Sequence, residues 1–305
     1  YRNPVKLDFP VIAAPMDTVC EHEMAQAMAD AGGLGVIHRY MSISRRIKNF
    51  KKVRGQCAVA IGATGDYFEE AVALYEAGCR IILVDTANGH NVLAEMAVAK
   101  LRREFNDLHI MAGNISTWDA FLSLSKAGAD SIRVGIGGGS CCTTRIVTGH
   151  GMPTLASVME IKEAKDLSWL PTSIIADGGI RNSGDMVKSF AAGADAVMVG
   201  SILAGTDESP GIVHESENGL LYKEFRGMAS REAQEHGRGK VSVAEGISTT
   251  VKYKGSADKI LNDIRGGISS GCSYSGAVKL SELHDLAEYI DVSQASVDES
   301  RPHAN

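Results

Sequence analysis

The sequence predicts an α/β fold in which eight parallel strands, most of them followed by a helix, close into a barrel. A helix ending in Ala-Gly, followed at once by a short apolar run, recurs four times along the chain. Four further apolar runs lie between these repeats, which gives eight strand candidates. Strands that alternate with helices at regular spacing indicate parallel βαβ units, and eight such units fit a closed barrel better than an open sheet.

The strands are predicted from the apolar runs. Glycine at the end of a helix adopts the left-handed conformation that closes it, and an uninterrupted apolar run is typical of a strand buried on both faces. In chain order, the predicted strands are Val11–Met16, Leu34–His38, Ala58–Ala63, Ile81–Val84, Ile110–Asn114, Ser131–Val134, Ser173–Asp177 and Ala196–Gly200. The helix patterns between them include Tyr67–Glu76, Val92–Phe105 and Thr117–Lys126.

Beyond the eighth predicted strand the regular alternation stops. Residues Gly205–Phe225 contain Asn218-Gly219, a dipeptide typical of tight hairpin turns, and predict an inserted hairpin. Residues 229–249 are polar without sustained periodicity, which predicts a mobile flap. Helices near Ala257–Ile268 and Lys279–Tyr289 are expected to complete the outer ring. We therefore predict a single catalytic domain over residues 1–291 and a disordered tail over residues 292–305.

The composition argues against several classes of protein. The chain has 305 residues, of which 44% are hydrophobic and 22% charged, the balance of a soluble globular protein. A net charge of -6 argues against binding to nucleic acid. No apolar stretch approaches the length of a membrane span and no signal peptide opens the chain, so we expect a cytoplasmic protein without a membrane partner. Six scattered cysteines without C-x-x-C predict reduced thiols, and the nine histidines lack metal-ligand spacing.

Polar residues and glycines concentrate where the predicted strands end. In a closed parallel barrel these ends form one mouth, which holds the active site. The residues at these ends are Asp17, Asp85, Asn88, Asn114, the loop Gly135–Arg145, Asp177-Gly178-Gly179 and Gly200-Ser201. We therefore expect them to surround one pocket.

Glycine-rich turns in two adjacent loops predict a phosphate site. Backbone N–H groups in such turns approach an anion closely, and barrels often bind phosphate after strands seven and eight. The predicted cradle consists of Ser140, Gly179, Gly200 and Ser201. The alternative is that these glycines only form tight turns. The run that starts at Gly135 lacks the third glycine and the first-strand position of a dinucleotide fingerprint, so a Rossmann fold is not indicated.

Two side chains at the mouth have more than one interpretation. Cys142 lies in the glycine loop beside Thr144 and Arg145, where N–H dipoles and a cation favour a nucleophilic thiolate. The alternative is an inert core thiol, since the neighbouring Cys141 shows that a cysteine here proves little. Asp177 is either an acceptor for ribose hydroxyl groups or a helix cap.

Four motifs together resemble the IMP dehydrogenase / GMP reductase family. They are Ala14-Pro-Met-Asp-Thr-Val19, Gly135-Ile-Gly-Gly-Gly-Ser-Cys-Cys-Thr-Thr-Arg-Ile-Val-Thr-Gly149, Ala176-Asp-Gly-Gly-Ile-Arg181 and Phe225-Arg-Gly-Met228. The resemblance runs from about residue 10 to residue 290 and implies a (β/α)8 TIM barrel, usually a homotetramer, without zinc or flavin. The regulatory CBS domain pair that relatives often insert after the second βα unit is absent near Phe50–Cys57.

The resemblance also implies roles for individual residues. Cys142 would be the nucleophile at purine C2, and Thr144 with Glu245 would form a proton relay. The residues implied in substrate binding are Asp177 for the ribose, Ser140, Gly179, Gly200 and Ser201 for the phosphate, and Gly227, Met228 and Ala229 for the base. Those implied in binding the nicotinamide dinucleotide are Asp85, Asn88, Gly89, Asn114 and Tyr274. The backbone carbonyls implied in binding a potassium ion are those of Gly137, Gly139 and Cys142.

The two family reactions share a covalent enzyme–purine intermediate and differ afterwards. The dehydrogenase passes hydride from IMP to NAD and hydrolyses the intermediate with an Arg-Tyr pair in the flap. The reductase releases ammonia from GMP and takes hydride from NADPH. Residues 229–249 contain no tyrosine, and both Asp85–Gly89 and Ser270–Ala277 resemble the reductase pattern. Against this, Gly35–Ser42 resembles a dehydrogenase, and Ser242 stands where reductases commonly have arginine.

On balance the sequence favours a GMP reductase, which converts GMP to IMP and ammonia with NADPH. The alternative is an IMP dehydrogenase that oxidises IMP to XMP with NAD. A second alternative is a catalytically inactive, nucleotide-sensing paralogue. Retention of Cys142, Thr144 and Glu245 together argues against that alternative.

Overall fold

The computed structural model describes residues 4–302, and it confirms the predicted fold class. Eight parallel strands form a closed barrel in which each strand pairs with the next and the eighth pairs with the first. The strands are β1 Val11–Ala13, β2 Leu34–Ile37, β3 Cys57–Ile61, β4 Ile81–Asp85, β5 His109–Ile115, β6 Ser131–Val134, β7 Ser173–Asp177 and β8 Ala196–Val199. Tyr1–Asn3, at the start of the predicted domain, and His303–Asn305, at the end of the predicted tail, lie outside the described residues.

Side chains along the strands alternate between the barrel interior and the layer beneath the helices. In β1, Ile12 belongs to the interior cluster, whereas Val11 belongs to the outer one. The interior cluster also contains Leu34, Ala58 and Leu83, so the barrel centre is a packed core. Truncation of a fully buried side chain such as Leu83 to alanine is expected to cost about 2–5 kcal/mol.

Helices on the outside of the barrel follow the strands. They are α1 His22–Asp30, α2 Ile43–Lys52, α3 Tyr67–Glu76, α4 Val92–Glu104, α5 Trp118–Ala127, the short α6 Thr144–Thr148, α7 Thr154–Ser168 and α8 Ser183–Ala191. Their ends follow capping chemistry: the Thr117 side chain accepts the N–H of Ala120 at the start of α5, and Gly128 ends that helix in the left-handed conformation.

The predicted strand bounds are within three residues of those in the structure, and the largest difference is at β1. This strand ends at Ala13 and not at Met16. Pro15 has no N–H to donate to a ladder, and the N–H of Met16 turns back to the carbonyl of Ala14 at 2.8 Å. The chain therefore leaves the barrel two residues before the proline.

A second, antiparallel sheet follows the barrel and confirms the predicted hairpin. It consists of β9 His214–Glu215, β10 Leu221–Arg226 and β11 Ser248–Lys252, in the order β11-β10-β9. The segment predicted as an irregular flap contains α9 Arg231–Arg238 and the first residues of β11. Its short strand was missed because pairing with β10, rather than local periodicity, makes it a strand.

The last helices differ from the prediction in length. α10 spans Ala257–Tyr274 and continues past Ile268, because its glycines allow close packing against α8. A 3₁₀ turn precedes the short α11 Leu283–Leu286, and α12 Gln294–Glu299 lies within the predicted disordered tail. Among residues 4–302, no helix is both long and apolar enough to cross a membrane.

Candidate active site

A cavity of about 340 Å³ opens at the mouth formed by the carboxyl ends of the barrel strands. Its wall includes Asp85, Asn114, Cys142, Asp177 and Ser201, which are the residues that the strand-end argument expected to meet. Residues from the hairpin and the flap, up to position 245, cover one side. A concave site at this end of the barrel is where such folds carry their chemistry.

The loops after β6 and β7 pack directly against each other. Gly135 has φ of +143°, and a Cβ at this position would lie 1.8 Å from the carbonyl oxygen of Asp177. Only glycine meets both conditions. This close approach brings the cysteine-bearing loop against the end of β7, so that Cys142 and Asp177 line the same cavity.

The two adjacent cysteines have different environments. Cys141 is buried, and burial raises the pKa of its thiol. Cys142 is half-buried on the cavity wall, where a ligand can reach its sulfur. The structure thus brings Cys142, and not its neighbour, to the position expected for a nucleophile.

A hydrogen-bonded chain links Cys142 to a carboxylate. The Cys142 thiol donates to Thr144 Oγ1 at 3.2 Å, and Thr144 Oγ1 donates to Glu245 Oε2 at 2.8 Å. The three residues predicted as the catalytic set therefore meet, although Glu245 is about a hundred positions away in sequence. A chain of this kind moves a proton between sulfur and carboxylate.

Residues 245–247, which we call the flap strand, hold Glu245 in place. On one side the flap strand exchanges backbone hydrogen bonds with residues 141–143, and on the other with residues 227–229, at 2.9 to 3.1 Å. Between these bonds, Gly246 pairs with Cys142 on one side and with Ser230 on the other. The loop that carries Cys142 and the loop predicted to contact the base are thus joined through the flap.

A buried charged network lies beside the chain. Arg133, on β6, donates to Asp85 Oδ1 at 2.8 Å and to Asp177 Oδ2 at 3.0 Å. Arg39 donates to the other oxygen of Asp85 at 3.0 Å, and Asn114 donates to Asp177 at 2.8 Å. Burial alone would raise the pKa of Asp85, but the two guanidinium groups hold it below its ordinary value. Burial would lower the pKa of Arg133, but the two carboxylates raise it. Asp85 and Arg133 are therefore both charged at neutral pH.

The predicted phosphate and base residues also line the cavity. They are Ser140, Gly179, Gly200 and Ser201 for the phosphate, and Gly227, Met228 and Ala229 for the base. Asp17 turns away from the cavity and pairs with Arg226 of the hairpin at 3.0 Å. In the loop of the predicted potassium ligands, the carbonyl of Gly139 accepts the N–H of Cys142 at 3.0 Å.

The sequence matches the family model described as IMP dehydrogenase / GMP reductase domain over residues 1–303. The chain belongs to the IMP dehydrogenase / GMP reductase family.

Similar members of this family bear the name inosine-5'-monophosphate dehydrogenase. One from Nitrosopumilus maritimus (strain SCM1) is 42% identical over 83% of this chain and 55% of its own length. One from Streptococcus pyogenes is 43% identical over 81% of this chain and 52% of its own length. A third, from Borreliella burgdorferi (strain ATCC 35210 / DSM 4680 / CIP 102532 / B31), is 34% identical over 98% of this chain and 89% of its own. The chain spans about half the length of the first two relatives. These names favour the dehydrogenase, and they do not confirm the sequence-based preference for a GMP reductase.

Some residues assigned by family resemblance are not on the cavity wall. Asn88 and Gly89 lie in the loop after β4, where the N–H of Gly89 donates to the carbonyl of Asn114, but neither lines the cavity. Tyr274 lies at the end of α10 and is 92% exposed.

The position of Tyr274 follows from the packing of α10 on α8. Gly267 packs on Ser183 at the start of α8, and Gly271 packs on Val187 one turn later. The two helices thus run in the same direction, away from the mouth, which takes Tyr274 to the opposite end of the barrel. Within one chain, this position away from the mouth does not favour the predicted contact of Tyr274 with the dinucleotide.

Sequence reasoning missed several polar residues that line the cavity. Among them are Arg39, Arg133 and the buried Gln234 of α9. For Arg133 the sequence did contain a signal, because a charged residue within an apolar strand is stable only when it is paired. Gln234, which bonds the carbonyls of Ala229 and Val243 at 3.0 and 2.9 Å, lies in a polar segment where nothing distinguishes it.

Proposed function

We propose that the protein is an IMP dehydrogenase, which oxidises IMP to XMP with NAD. The observation that supports this most directly is the hydrogen-bonded chain from Cys142 through Thr144 to Glu245 on the cavity wall. This chain supplies the two groups that the reaction needs at purine C2, a sulfur nucleophile and a carboxylate that accepts protons. The names of the relatives support the dehydrogenase over the reductase.

In the proposed complex the nucleotide is bound at both ends. Its phosphate accepts hydrogen bonds from the turns that contain Ser140, Gly179, Gly200 and Ser201. Its ribose hydroxyls donate to Asp177, whose carboxylate is fixed by hydrogen bonds from Arg133 and Asn114. The base contacts Met228 and Ala229, which places purine C2 near the Cys142 sulfur.

The first half of the reaction forms a covalent bond. The Cys142 thiol gives its proton through Thr144 to Glu245, and the thiolate adds to C2 of the hypoxanthine ring. A nicotinamide dinucleotide, when bound, would accept hydride from C2, which would leave an oxidised purine bonded through C2 to sulfur. A carboxylate two hydrogen bonds away gives the thiol proton an acceptor as the sulfur attacks.

The second half hydrolyses that bond. Glu245 returns its proton to solvent, and a water molecule that adds to C2 then passes a proton through Thr144 to the carboxylate. The C–S bond breaks, which releases XMP and restores Cys142. The net reaction consumes IMP, water and oxidised dinucleotide, and it produces XMP, reduced dinucleotide and one proton.

The residues beside the nucleotide site fit a nicotinamide riboside. Asn114 Oδ1 is buried and, within the described part of the chain, has no hydrogen-bond partner. Its Nδ2 already donates to Asp177 and to the carbonyl of Gly135. A carboxamide or hydroxyl donor would satisfy the buried oxygen, which is otherwise costly. Asn114 and Asp85 would hold the riboside, and the dinucleotide supplies the hydride acceptor when it is bound.

A second candidate is the GMP reductase reaction, which one observation favours. The flap, residues 229–249, contains no tyrosine and hence no Arg-Tyr pair to activate water. In this reaction the same relay would run in the other direction: Glu245 would give a proton through Thr144 to the departing amine, and NADPH would supply hydride.

A paired assay separates these candidates. IMP with NAD is expected to give a rise in absorbance at the reduced-nicotinamide band, whereas GMP with NADPH is expected to give no change. A fall in absorbance with GMP and NADPH, without oxidation of IMP, would replace the dehydrogenase by the reductase. Binding of both nucleotides with neither reaction would indicate the inactive paralogue.

Two further expectations concern partners of the enzyme. We expect a homotetramer, because large apolar side chains such as Trp169, Tyr274 and Val278 are more than 90% exposed. Sedimentation velocity measures the oligomeric state.

We also expect activation by potassium through backbone carbonyls of Gly137, Gly139 and Cys142. A comparison of turnover in potassium and lithium salts tests this expectation.

A further inference from the structure

Two lysines bind the backbone carbonyls of the segment that follows β8. Lys254 Nζ donates to the carbonyls of Ser201 and Ile202 at 2.7 and 2.9 Å. Lys223 Nζ donates to carbonyls at the other end of the segment, those of Thr206 and Ser209, at 2.8 and 2.7 Å. Each ammonium thus satisfies two acceptors that belong to no regular strand.

Lys254 acts on the part of this segment that reaches the cavity. Gly200 begins a helical turn, since its carbonyl accepts the N–H groups of Leu203 and Ala204 at 3.0 Å. Both Gly200 and Ser201 line the cavity, whereas Lys254 does not. In a helical turn the N–H groups and the carbonyls point in opposite directions. Lys254 therefore holds the carbonyl side of a turn whose first residues form the cavity wall.

A second contact fixes the same turn. The backbone N–H of Lys254 donates to the carbonyl of Gly205 at 2.9 Å. One residue thus makes three hydrogen bonds to the segment 201–205, two through its side chain and one through its backbone. A methionine at this position would keep the backbone bond and lose the two from the ammonium.

We propose that Lys254 is a positioning residue for nucleotide recognition: it orients the Gly200-Ser201 turn toward the 5′-phosphate and adds a positive charge behind it. This inference rests on the proposed function, because it assumes that a purine nucleotide phosphate binds this turn. A cation on the carbonyl side stabilises the turn and strengthens its N–H side as an anion binder. Lys254 makes no contact with the base or with Cys142 in this arrangement, so its effect is confined to the phosphate.

Lys223 also donates to backbone carbonyls, but we expect these bonds to support stability and not nucleotide binding. It is 3% exposed, and burial lowers the pKa of its ammonium. Its acceptors, at Thr206 and Ser209, are not on the cavity wall. Its loss would leave buried carbonyls without a donor and is expected to lower stability, not phosphate recognition. Desolvation lowers the pKa of the Lys254 ammonium as well, but the Lys254 side chain lies at the surface, so its substitution leaves the core intact.

The test compares binding of IMP and of inosine, which lacks the phosphate, by calorimetry without dinucleotide. We expect the native protein to bind IMP more tightly than inosine. Lys254→Met is expected to weaken IMP binding about tenfold, through loss of well-placed charge-assisted hydrogen bonds, and to change inosine binding less than about twofold. Lys254→Arg, which keeps the charge and the donors, is expected to retain most of the IMP affinity. In turnover, KM for IMP rises and kcat is unchanged.

The matched control is Lys252→Met, which removes the same charge from an exposed position two residues away. It should leave both affinities unchanged. If native protein discriminates IMP from inosine and Lys254→Met keeps that discrimination, the positioning role is wrong and the proposed function stands. Equal losses for both ligands would also overturn it, because they indicate general disturbance of the cavity. If the native protein does not prefer IMP to inosine, phosphate recognition at this turn fails, and the proposed substrate class fails with it.

Discussion

Replacement of Arg133 by methionine tests the buried charged network, and we expect a large loss of stability. The Arg133 side chain is 9% exposed, donates to Asp85 at 2.8 Å and donates twice to Asp177, at 3.0 and 3.2 Å. Removal of one partner from a buried ion pair typically costs about 3–5 kcal/mol. Arg39 still pairs with Asp85 and Asn114 still donates to Asp177, so we expect the lower end, about 3 kcal/mol.

Thermal and urea unfolding at pH 7 measure this loss. For a chain of this size, a loss of about 3 kcal/mol lowers Tm by roughly 5 °C. The control is Arg181→Met, which removes the same charge from a surface pair whose arginine is 79% exposed. Such pairs contribute about 0–1 kcal/mol, so this variant is expected to unfold close to the native protein.

The pH dependence separates electrostatics from simple loss of packing. Burial raises the pKa of Asp85, but Arg133 and Arg39 hold it below its ordinary value. The stability that this carboxylate contributes is therefore present above the unfolded pKa of about 3.9 and lost as the pH falls through the lower folded pKa. In Arg133→Met only Arg39 opposes burial, so the folded pKa of Asp85 rises. The stability gap between native and variant proteins is then widest near neutral pH and narrows below about pH 4.

A double variant completes the test. Asp177→Asn in the Arg133→Met background removes a carboxylate whose remaining described side-chain donor, Asn114, is neutral, and is expected to recover about 1–2 kcal/mol. A loss below about 1 kcal/mol for Arg133→Met, or a stability gap that is the same at pH 7 and at about pH 3, would refute the electrostatic account.

The remaining predictions concern the reacting groups. Cys142→Ala and Cys142→Ser should bind IMP within a few-fold of the native protein by calorimetry but lose turnover by roughly a thousandfold or more, because neither side chain offers a thiolate. Cys141→Ala should have a mild effect, and the reverse pattern would mean that the other cysteine is the nucleophile. Glu245→Gln, which keeps size and hydrogen bonding but accepts no proton, should lower kcat on the order of a hundredfold with nucleotide affinity nearly unchanged. Near-native turnover by this variant would exclude the relay.

The barrel could be predicted from sequence because its signals are local. Ser131–Val134 and Ser173–Asp177 have the predicted bounds, since burial on both faces favours short, mostly apolar runs. β11 could not be predicted, because five exposed or half-buried residues form a strand only through their pairing with β10. The helix α9 could not be predicted either, because its polar sequence lies in a segment without periodicity.

Within the site, sequence position predicted which residues lie together but not which side chains join them by hydrogen bonds. Asp85 and Asp177 were expected at the mouth from their places at strand ends, and the structure has them there. Their common partner Arg133 was not predicted, because a charged residue within an apolar strand indicates that it is paired but does not identify its partners. Tyr274 was assigned to the dinucleotide by motif alone, and helix packing takes it to the other end of the barrel.

The proposed catalytic groups come from two parts of the protein, the barrel and the flap strand. The proposed binding groups and nucleophile belong to the barrel, while residues 245–247 bring the proposed proton acceptor from outside it. If the flap strand lifts, its bonds to residues 141–143 break, so the sulfur loses its aligned neighbour and the proposed proton acceptor in the same movement. In the proposed mechanism, turnover therefore requires the closed arrangement. An open site would hold Cys142 away from the Glu245 carboxylate. Such a thiol reacts less readily with electrophiles other than the substrate.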